Sequence, residues 1–371
     1  MTIRVLKSSQ YAYMQTMVSM LAKALLQTHE IELLAQQPLD KILQIAQLKA
    51  LAKIFEEQFN TKQSNTIQFN IKQAVLPAGK IDQLILQTLC SEAIRIIRPL
   101  NADERSFISY WMRRFELQNV KTIIRGKSLN HSSKIIRQQL IQVPYFSYLN
   151  LDKLIQKDDI SEVLNELKTT PYASISRYAL QHFEQSRDVF TAETSINHQF
   201  YEGLNKRQYL FAKIDQDNIH QLLGLIIDQL NLIRLLRYRL YYQFSAPQTF
   251  FHLISGGLYL KQQQLQQLSN VEKLSQIHEY LPVQYKQYLA DCETLQDIEI
   301  ALEIKIIERA WELMNKTRYS IAQVFIFLVL REKQLSQLHT LIKGKVLSLS
   351  QNSIDIALGL RTKSFKHEVI S

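Results

Sequence analysis

Apolar side chains recur every three or four positions through most of this chain, a spacing that predicts amphipathic α-helices. The pattern returns over residues 48–59, 81–97, 102–127 and 222–242. It begins between residues 11 and 27, at Met14, Met17, Val18, Leu21, Leu25 and Leu26. One alternating stretch, residues 67–71, predicts a short strand. Because the chain has only 8 glycines and 7 prolines, tight turns are few, and an all-α fold is expected.

One helical segment occurs three times along the chain. Residues 119–127 read NVKTIIRGK, residues 231–239 read NLIRLLRYR, and residues 337–345 read QLHTLIKGK. Each copy has a polar amide, an apolar block and two basic residues separated by one position. The first two copies start 112 residues apart and the last two start 106 residues apart. This near-constant spacing indicates one helical unit that is used several times.

The repeats predict three quasi-equivalent helical lobes. The first lobe is expected over residues 1–118, the second over residues 119–230, and the third, with the closing helices, over residues 231–371. The first lobe carries the weakest copy, because its basic ending is reduced to Lys23.

Composition and charge narrow the class of protein. The chain has 44 Lys and Arg against 34 Asp and Glu, a net charge of +10 that favours acidic partners or a solvated basic surface. Two distant cysteines indicate a reducing compartment. The N-terminus lacks a secretory signal, and the most apolar runs, residues 222–227 and 324–330, fall short of the ~18 residues that span a bilayer. A cytoplasmic protein that does not cross the membrane is expected.

We find no motif that predicts a catalytic, cofactor-binding or metal-binding residue. The sequence Gly126-Lys127-Ser128 resembles the end of a P-loop, but position 121 is Lys where that loop requires Gly. The 9 histidines lack the spacing of zinc ligands. Gly126 and Gly344 are more simply explained by a close helix approach or by a helix C-terminus than by a catalytic loop.

The basic endings are the candidate interface residues: Arg125, Lys127, Arg237, Arg239, Lys343 and Lys345. Two residues that are two positions apart on a helix point about 200° away from each other, so each pair cannot form one stripe. One interpretation is that these cations stabilise helix C-termini, where backbone carbonyls are unpaired. The other is that they gather at one rim of the threefold body and contact acidic partners.

Residues 117–127 and 330–345 resemble the helix ends of the C subunit of V-type and archaeal A-type rotary ATPases, whose eukaryotic counterpart is the d subunit. The resemblance implies a non-catalytic rotor part without cofactors, built as a funnel of three similar lobes around a central cavity. It also implies partners: the proteolipid c-ring under the funnel, and the D and F subunits of the central stalk. The implied role is to couple ring and stalk during ATP-driven proton or sodium ion transport, or ATP synthesis, from the inner face of the membrane.

The alternative hypothesis is a basic helical-repeat module that binds nucleic acid. Its local support is an aromatic group, Tyr238, Tyr241 and Tyr242, beside Arg237 and Arg239. A continuous basic groove would favour nucleic acid, whereas a polar surface of mixed charge would favour a socket for the stalk. A helical enzyme is a third hypothesis, and no nucleophile, metal site or acid–base pair supports it.

Overall fold

The computed structural model describes residues 2–43 and 78–360, and every regular element in those ranges is a helix. The all-α prediction is therefore confirmed for the described residues. The helix predicted over residues 48–59 and the strand predicted over residues 67–71 lie outside them.

α-Helices follow one another along the whole described part of the chain. Up to residue 208 they are α1 (Thr2–Ala22), α2 (Thr28–Ala35), α3 (Leu39–Leu43), α4 (Ala78–Ile97), α5 (Ala102–Met112), α6 (Arg114–Ser128), α7 (Ser133–Gln138), α8 (Leu151–Ile155), α9 (Ile160–Glu166), α10 (Ala173–Ser186) and α11 (Val189–Gln208). From residue 213 they are α12 (Lys213–Leu236), α13 (Ala246–Phe251), α14 (Gln262–Leu268), α15 (Ile277–Tyr280), α16 (Val283–Lys286), α17 (Leu295–Lys316), α18 (Ile321–Val346) and α19 (Gln351–Ala357). A π-helical turn, Arg237–Tyr241, directly follows α12.

Helix α18 lies at the centre of the packing. Its first eleven residues, 321–331, are buried without interruption, and the helix contacts α1, α4, α12 and α17. The sequence explains this position, because residues 321–330 are almost entirely apolar on every side of the helix. The stretch ends at Arg331, which is buried and pairs with Glu92 of α4 at 2.7 Å.

The apolar core is continuous from α1 to the middle of α18. A second, smaller cluster joins α2, α3 and α4 to the C-terminal half of α18 and to α19, through residues such as Ile31, Ile42, Leu338 and Ile354. The N-terminal helices therefore close over the end of the same helix whose start lies in the main core.

The helix predicted over residues 102–127 is divided in the structure. It breaks at Arg113, between α5 and α6, and it continues past Gly126 to Ser128. The Arg113 N–H bonds to the carbonyls of both Ser109 and Tyr110, so the backbone tightens for one residue. The Arg113 guanidinium lies 4.4 Å from the centre of the Tyr148 ring, a tertiary contact that the local sequence does not indicate.

One segment is long and apolar enough to cross a membrane by length and composition. It comprises α12 and the π-helical turn, residues 213–241, and 67% of its most apolar window is buried inside the protein. That degree of burial is what a core helix of a packed body shows.

Gly126 and Gly344 allow close packing of the helix that follows each of them. A Cβ atom at Gly126 would lie 2.5 Å from Cγ1 of Ile136, and a Cβ atom at Gly344 would lie 2.7 Å from Cγ1 of Ile354. Both helices then end in the same way, with Asn130 and Ser348 in the left-handed conformation at φ 54° and 53°. Close approach is therefore the interpretation that the structure supports for these glycines, since both helices continue two residues further, to Ser128 and Val346.

Replacing Gly126 with Val should lower the free energy of unfolding by about 1–3 kcal/mol, because the added side chain meets Ile136. Urea denaturation of Gly126→Val in the wild-type and Ile136→Ala backgrounds measures this effect. We expect a smaller cost in the second background, where the space opposite the glycine is open. An equal cost in both backgrounds would contradict the assignment of Ile136 as the obstructing group.

Candidate functional site

The first basic residue of each repeated helix end is exposed. Arg125 pairs with Glu193 of α11, with Nη2 and Oε2 2.6 Å apart, and Arg237 pairs with Glu299 of α17 at 3.1 Å. Lys343 is also exposed and has no acidic partner among the described residues. These three cations face solvent, and two of them join neighbouring helices.

The second basic residue of each pair turns back onto the protein. The Lys127 ammonium donates to the carbonyl of Ile155 at 2.6 Å, and the Arg239 Nε–H donates to the carbonyl of Val271 at 3.1 Å. The Lys345 ammonium donates to Oε1 of Gln351 at 2.9 Å. The two members of each pair therefore act differently, as their opposite directions on the helix require.

The amide that opens the first two copies holds the chain that follows its helix. Asn119 donates to the carbonyl of Ile141 at 2.7 Å and accepts from the Ile141 N–H at 2.9 Å. Asn231 makes the same two bonds to Ile254, both at 2.7 Å. Gln337 stands at this position in the third copy.

A buried carboxylate, Glu116, lies one turn before Asn119. Its Oε1 accepts from the backbone N–H groups of Tyr148 and Leu149, both at 2.7 Å, and from the Ser147 hydroxyl at 2.8 Å. Its Oε2 accepts from the hydroxyl of Tyr172. The Glu116 side chain is itself fully buried, and these hydrogen bonds offset the cost of withdrawing its carboxylate from water.

Asp228 repeats this arrangement one turn before Asn231. It accepts from the N–H groups of Tyr259 and Leu260, at 2.8 and 3.1 Å, and from the Tyr285 hydroxyl at 2.9 Å. Sequence reasoning missed both carboxylates. The available signal was an acid three positions before each repeated asparagine, on an otherwise apolar helix face.

Polar side chains also join the long helices to one another. Arg114 of α6 pairs with Glu332 of α18, and the Lys121 ammonium donates to Oδ1 of Asn197 at 3.1 Å. Burial and the charge of Arg234 lower the pKa of Lys121 to about 8. Together with Arg125–Glu193 these contacts form a polar seam between α6, α11 and α18, and we refer to it as the inter-helix seam.

The inter-helix seam has mixed charge. Arg114 and Arg125 face carboxylates on other helices. Lys333 of α18 likewise pairs with Glu303 of α17 at 3.3 Å. The tyrosines that the nucleic-acid hypothesis requires do not form one platform for stacking on bases. Tyr238 is buried and stacked on Phe244 at 5.3 Å, while Tyr241 is exposed. The nucleic-acid hypothesis therefore gains no support.

The described residues contain no group of three or more His, Cys, Asp or Glu side chains that could hold a metal ion. The two cysteines are free, and burial raises the pKa of the Cys292 thiol to about 11, which disfavours the reactive thiolate. The hydrogen bonds and ion pairs described above join helices and connecting segments of this chain to one another.

Comparison with known protein families shows to which family this chain belongs. A model of the ATP synthase (C/AC39) subunit family matches residues 22–355. The chain belongs to this family. The resemblance found at the helix ends is therefore confirmed over most of the chain.

Relatives from archaea are named as the C subunit of A-type ATP synthases. The protein of Methanosarcina barkeri is 24% identical over 270 residues, which cover 70% of this chain and 71% of the relative. The protein of Methanocaldococcus jannaschii is 20% identical over 95% of this chain and 87% of the relative. That of Halorubrum lacusprofundi is 25% identical over 68% of this chain and 73% of the relative.

Asp228 should make stability depend on pH. Burial raises the pKa of this carboxyl to about 6, although its hydrogen bonds lower it in part. The folded protein thus keeps a proton that the unfolded chain releases, and stability falls as the pH rises from roughly 4 to 6. The difference in unfolding free energy, wild type minus Asp228→Asn, should decrease by about 3 kcal/mol from pH 4 to pH 7.

Urea denaturation at several pH values measures this difference, with Asp152→Asn at an exposed carboxylate as the control. A difference between wild type and Asp228→Asn that stays constant over the whole range would contradict the shifted pKa of Asp228.

Proposed function

We propose that this chain is a non-catalytic rotor component that couples a proteolipid ring to the central stalk of a rotary ATPase. The observation that carries the proposal is membership of the ATP synthase (C/AC39) subunit family over residues 22–355. The partners would be the c-ring and the D and F subunits of the stalk. The chain would lie on the inner face of the membrane and serve ATP-driven proton or sodium ion transport, or ATP synthesis.

A body of three similar units around a central cavity is part of this proposal. Its support is the recurrence of local geometry: Asn119 and Asn231 make the same bonds, and Gly126 and Gly344 make the same close approach. The expected boundaries at residues 118/119 and 230/231 fall inside α6 and α12. The units would therefore be repeats of one helical pattern that share continuous helices.

The exposed cations Arg125, Arg237 and Lys343 would form a rim that meets acidic partner surfaces. Support comes from the neighbourhood of the helix ends. Phe190 of α11, one turn before the Glu193 that pairs with Arg125, lies 5.4 Å from the Tyr242 ring. Arg237 lines a cavity of about 530 Å³ together with Ala357 of α19. The ends of α6, α12 and the α18–α19 unit would thus lie side by side.

A coupling part must carry load without deforming, and the packing suits that task. The long helices are joined by a dense apolar core and by the ion pairs of the inter-helix seam, such as Arg114–Glu332. Close-packed interiors have low compressibility and transmit strain. No side chain is proposed to make or break a bond.

Deleting the gene should uncouple the complex. Membranes from the deletion strain should keep ATP hydrolysis by the catalytic head but lose ATP-driven ion uptake, and the wild-type gene should restore it. Ion uptake with a fluorescent pH or sodium probe, measured beside phosphate release, distinguishes the two activities. Full ion uptake in the absence of this chain would refute the coupling role.

Neutralising the proposed rim should weaken assembly. For the triple variant Arg125→Gln, Arg237→Gln and Lys343→Gln we expect an association rate with a complex depleted of this chain about tenfold lower at low salt, because rim charges steer encounter. Surface plasmon resonance at two salt concentrations measures it. The matched control carries Lys134→Gln, Lys168→Gln and Lys273→Gln at exposed lysines elsewhere. Equal loss in both triple variants would show that only net charge matters.

A further inference from the structure

The turn between α11 and α12 exposes apolar side chains to solvent. Tyr209 is 69% exposed, Leu210 is 60% exposed, and Ile214, in the first turn of α12, is 71% exposed. Three large apolar side chains within six residues form a concentrated exposed group, unlike the isolated exposed leucines that any surface carries.

The turn between α17 and α18 adds a fourth such side chain. Tyr319 is 58% exposed. Asn218 of α12 donates to the Thr317 hydroxyl at 3.3 Å, so the two turns lie side by side. We refer to Tyr209, Leu210, Ile214 and Tyr319 as the turn patch.

The fold does not require these exposed side chains. Phe211 already anchors the first turn, with its ring 5.4 Å from Phe107 in the core. The comparable turn between α4 and α5 exposes Arg98 and buries Leu100 instead. Tyr319 has φ 55°, a conformation that glycine or asparagine adopts at lower cost. Since the backbone conformation does not favour tyrosine at this position, we infer a functional role for its exposed ring.

Basic side chains surround the turn patch. Lys206 and Lys213 pair with Glu202 and Asp217 within their own helices, at 2.6 and 2.8 Å. Lys316 and Arg318 are exposed at the end of α17 and have no acidic partner among the described residues. Two further charged residues flank the patch in sequence: Arg207, which is half-buried over the Tyr110 ring, and Asp215, which is also half-buried.

We propose that the turn patch docks on an anionic phospholipid surface. Tyrosine rings suit the water–hydrocarbon boundary because one end is apolar and the other is polar. Leu210 and Ile214 would enter the acyl boundary, while Lys316 and Arg318 would face lipid phosphates. A few projecting side chains suffice for a lipid surface, whereas a protein partner usually needs about 800 Å² of complementary surface.

This inference goes beyond the proposed coupling role. Lipid binding would be a property of the isolated chain, so it can be tested without the ring, the stalk or ATP. A failure of lipid binding would leave the coupling role untouched, and a failure of coupling would leave lipid binding untouched.

The test is co-sedimentation of the purified full chain with phosphatidylcholine vesicles, with and without phosphatidylglycerol. We expect binding only to the vesicles that contain phosphatidylglycerol, and weaker binding at high salt because exposed charges are screened. The variant Leu210→Asp with Ile214→Asp should bind at least about tenfold less, since charge on the inserting residues opposes burial in lipid. Circular dichroism checks that this variant is folded.

The matched control is Leu129→Asp with Leu347→Asp, two leucines of similar exposure, 65% and 59%, at the ends of α6 and α18. This control should bind like the wild type. Two further variants test the proposal without introducing aspartate into the patch. Lys316→Gln with Arg318→Gln should reduce binding, and Tyr319→Trp should shift its fluorescence to shorter wavelength on binding.

Several results would overturn the proposal. They are no binding of the wild type to phosphatidylglycerol vesicles, equal binding to neutral vesicles, equal loss in the two aspartate pairs, or no loss in Lys316→Gln with Arg318→Gln.

Discussion

The structure depends on polar side chains of long helices that satisfy the backbone of the irregular segments packed against them. Short helices and connections follow α6 and α12, and they pack over acceptor side chains that are buried on those two helices. Glu116 and Asp228 each accept two backbone N–H groups and a tyrosine hydroxyl, and Asn119 and Asn231 each satisfy both polar groups of one isoleucine. Without these bonds the buried carboxylates and amides would destabilise the fold, because a buried polar group without a partner costs about 1–3 kcal/mol.

The three helix ends solve one packing problem in two ways. Gly126 and Gly344 let the next helix approach directly, through Ile136 and Ile354. The corresponding residue after α12 is Tyr238, whose ring cannot fit in that space. There the helix widens into a π-helical turn, and the tyrosine stacks on Phe244. The extra residue is visible in the numbering, since Asn119 and Asn231 are 112 positions apart whereas their partners Ile141 and Ile254 are 113 apart.

The two basic residues at each repeated helix end have different roles in the structure. Arg125 and Arg237 remain exposed and link neighbouring helices, whereas Lys127, Arg239 and Lys345 bind the chain that follows their own helices. The second member of each pair holds the segment that follows its helix, and a partner surface is proposed only for the first.

The sequence by itself determined the helical class, the position of most long helices, the repeated helix end and the family, because periodicity and short motifs are local properties. It also indicated that Gly126 and Gly344 mark close approach or helix termination. The tertiary structure decided the break at Arg113, the buried acceptors Glu116 and Asp228, and the separate roles of paired cations. Those features depend on partners such as Tyr172 and Tyr285, which lie more than fifty residues away and which no local pattern can assign.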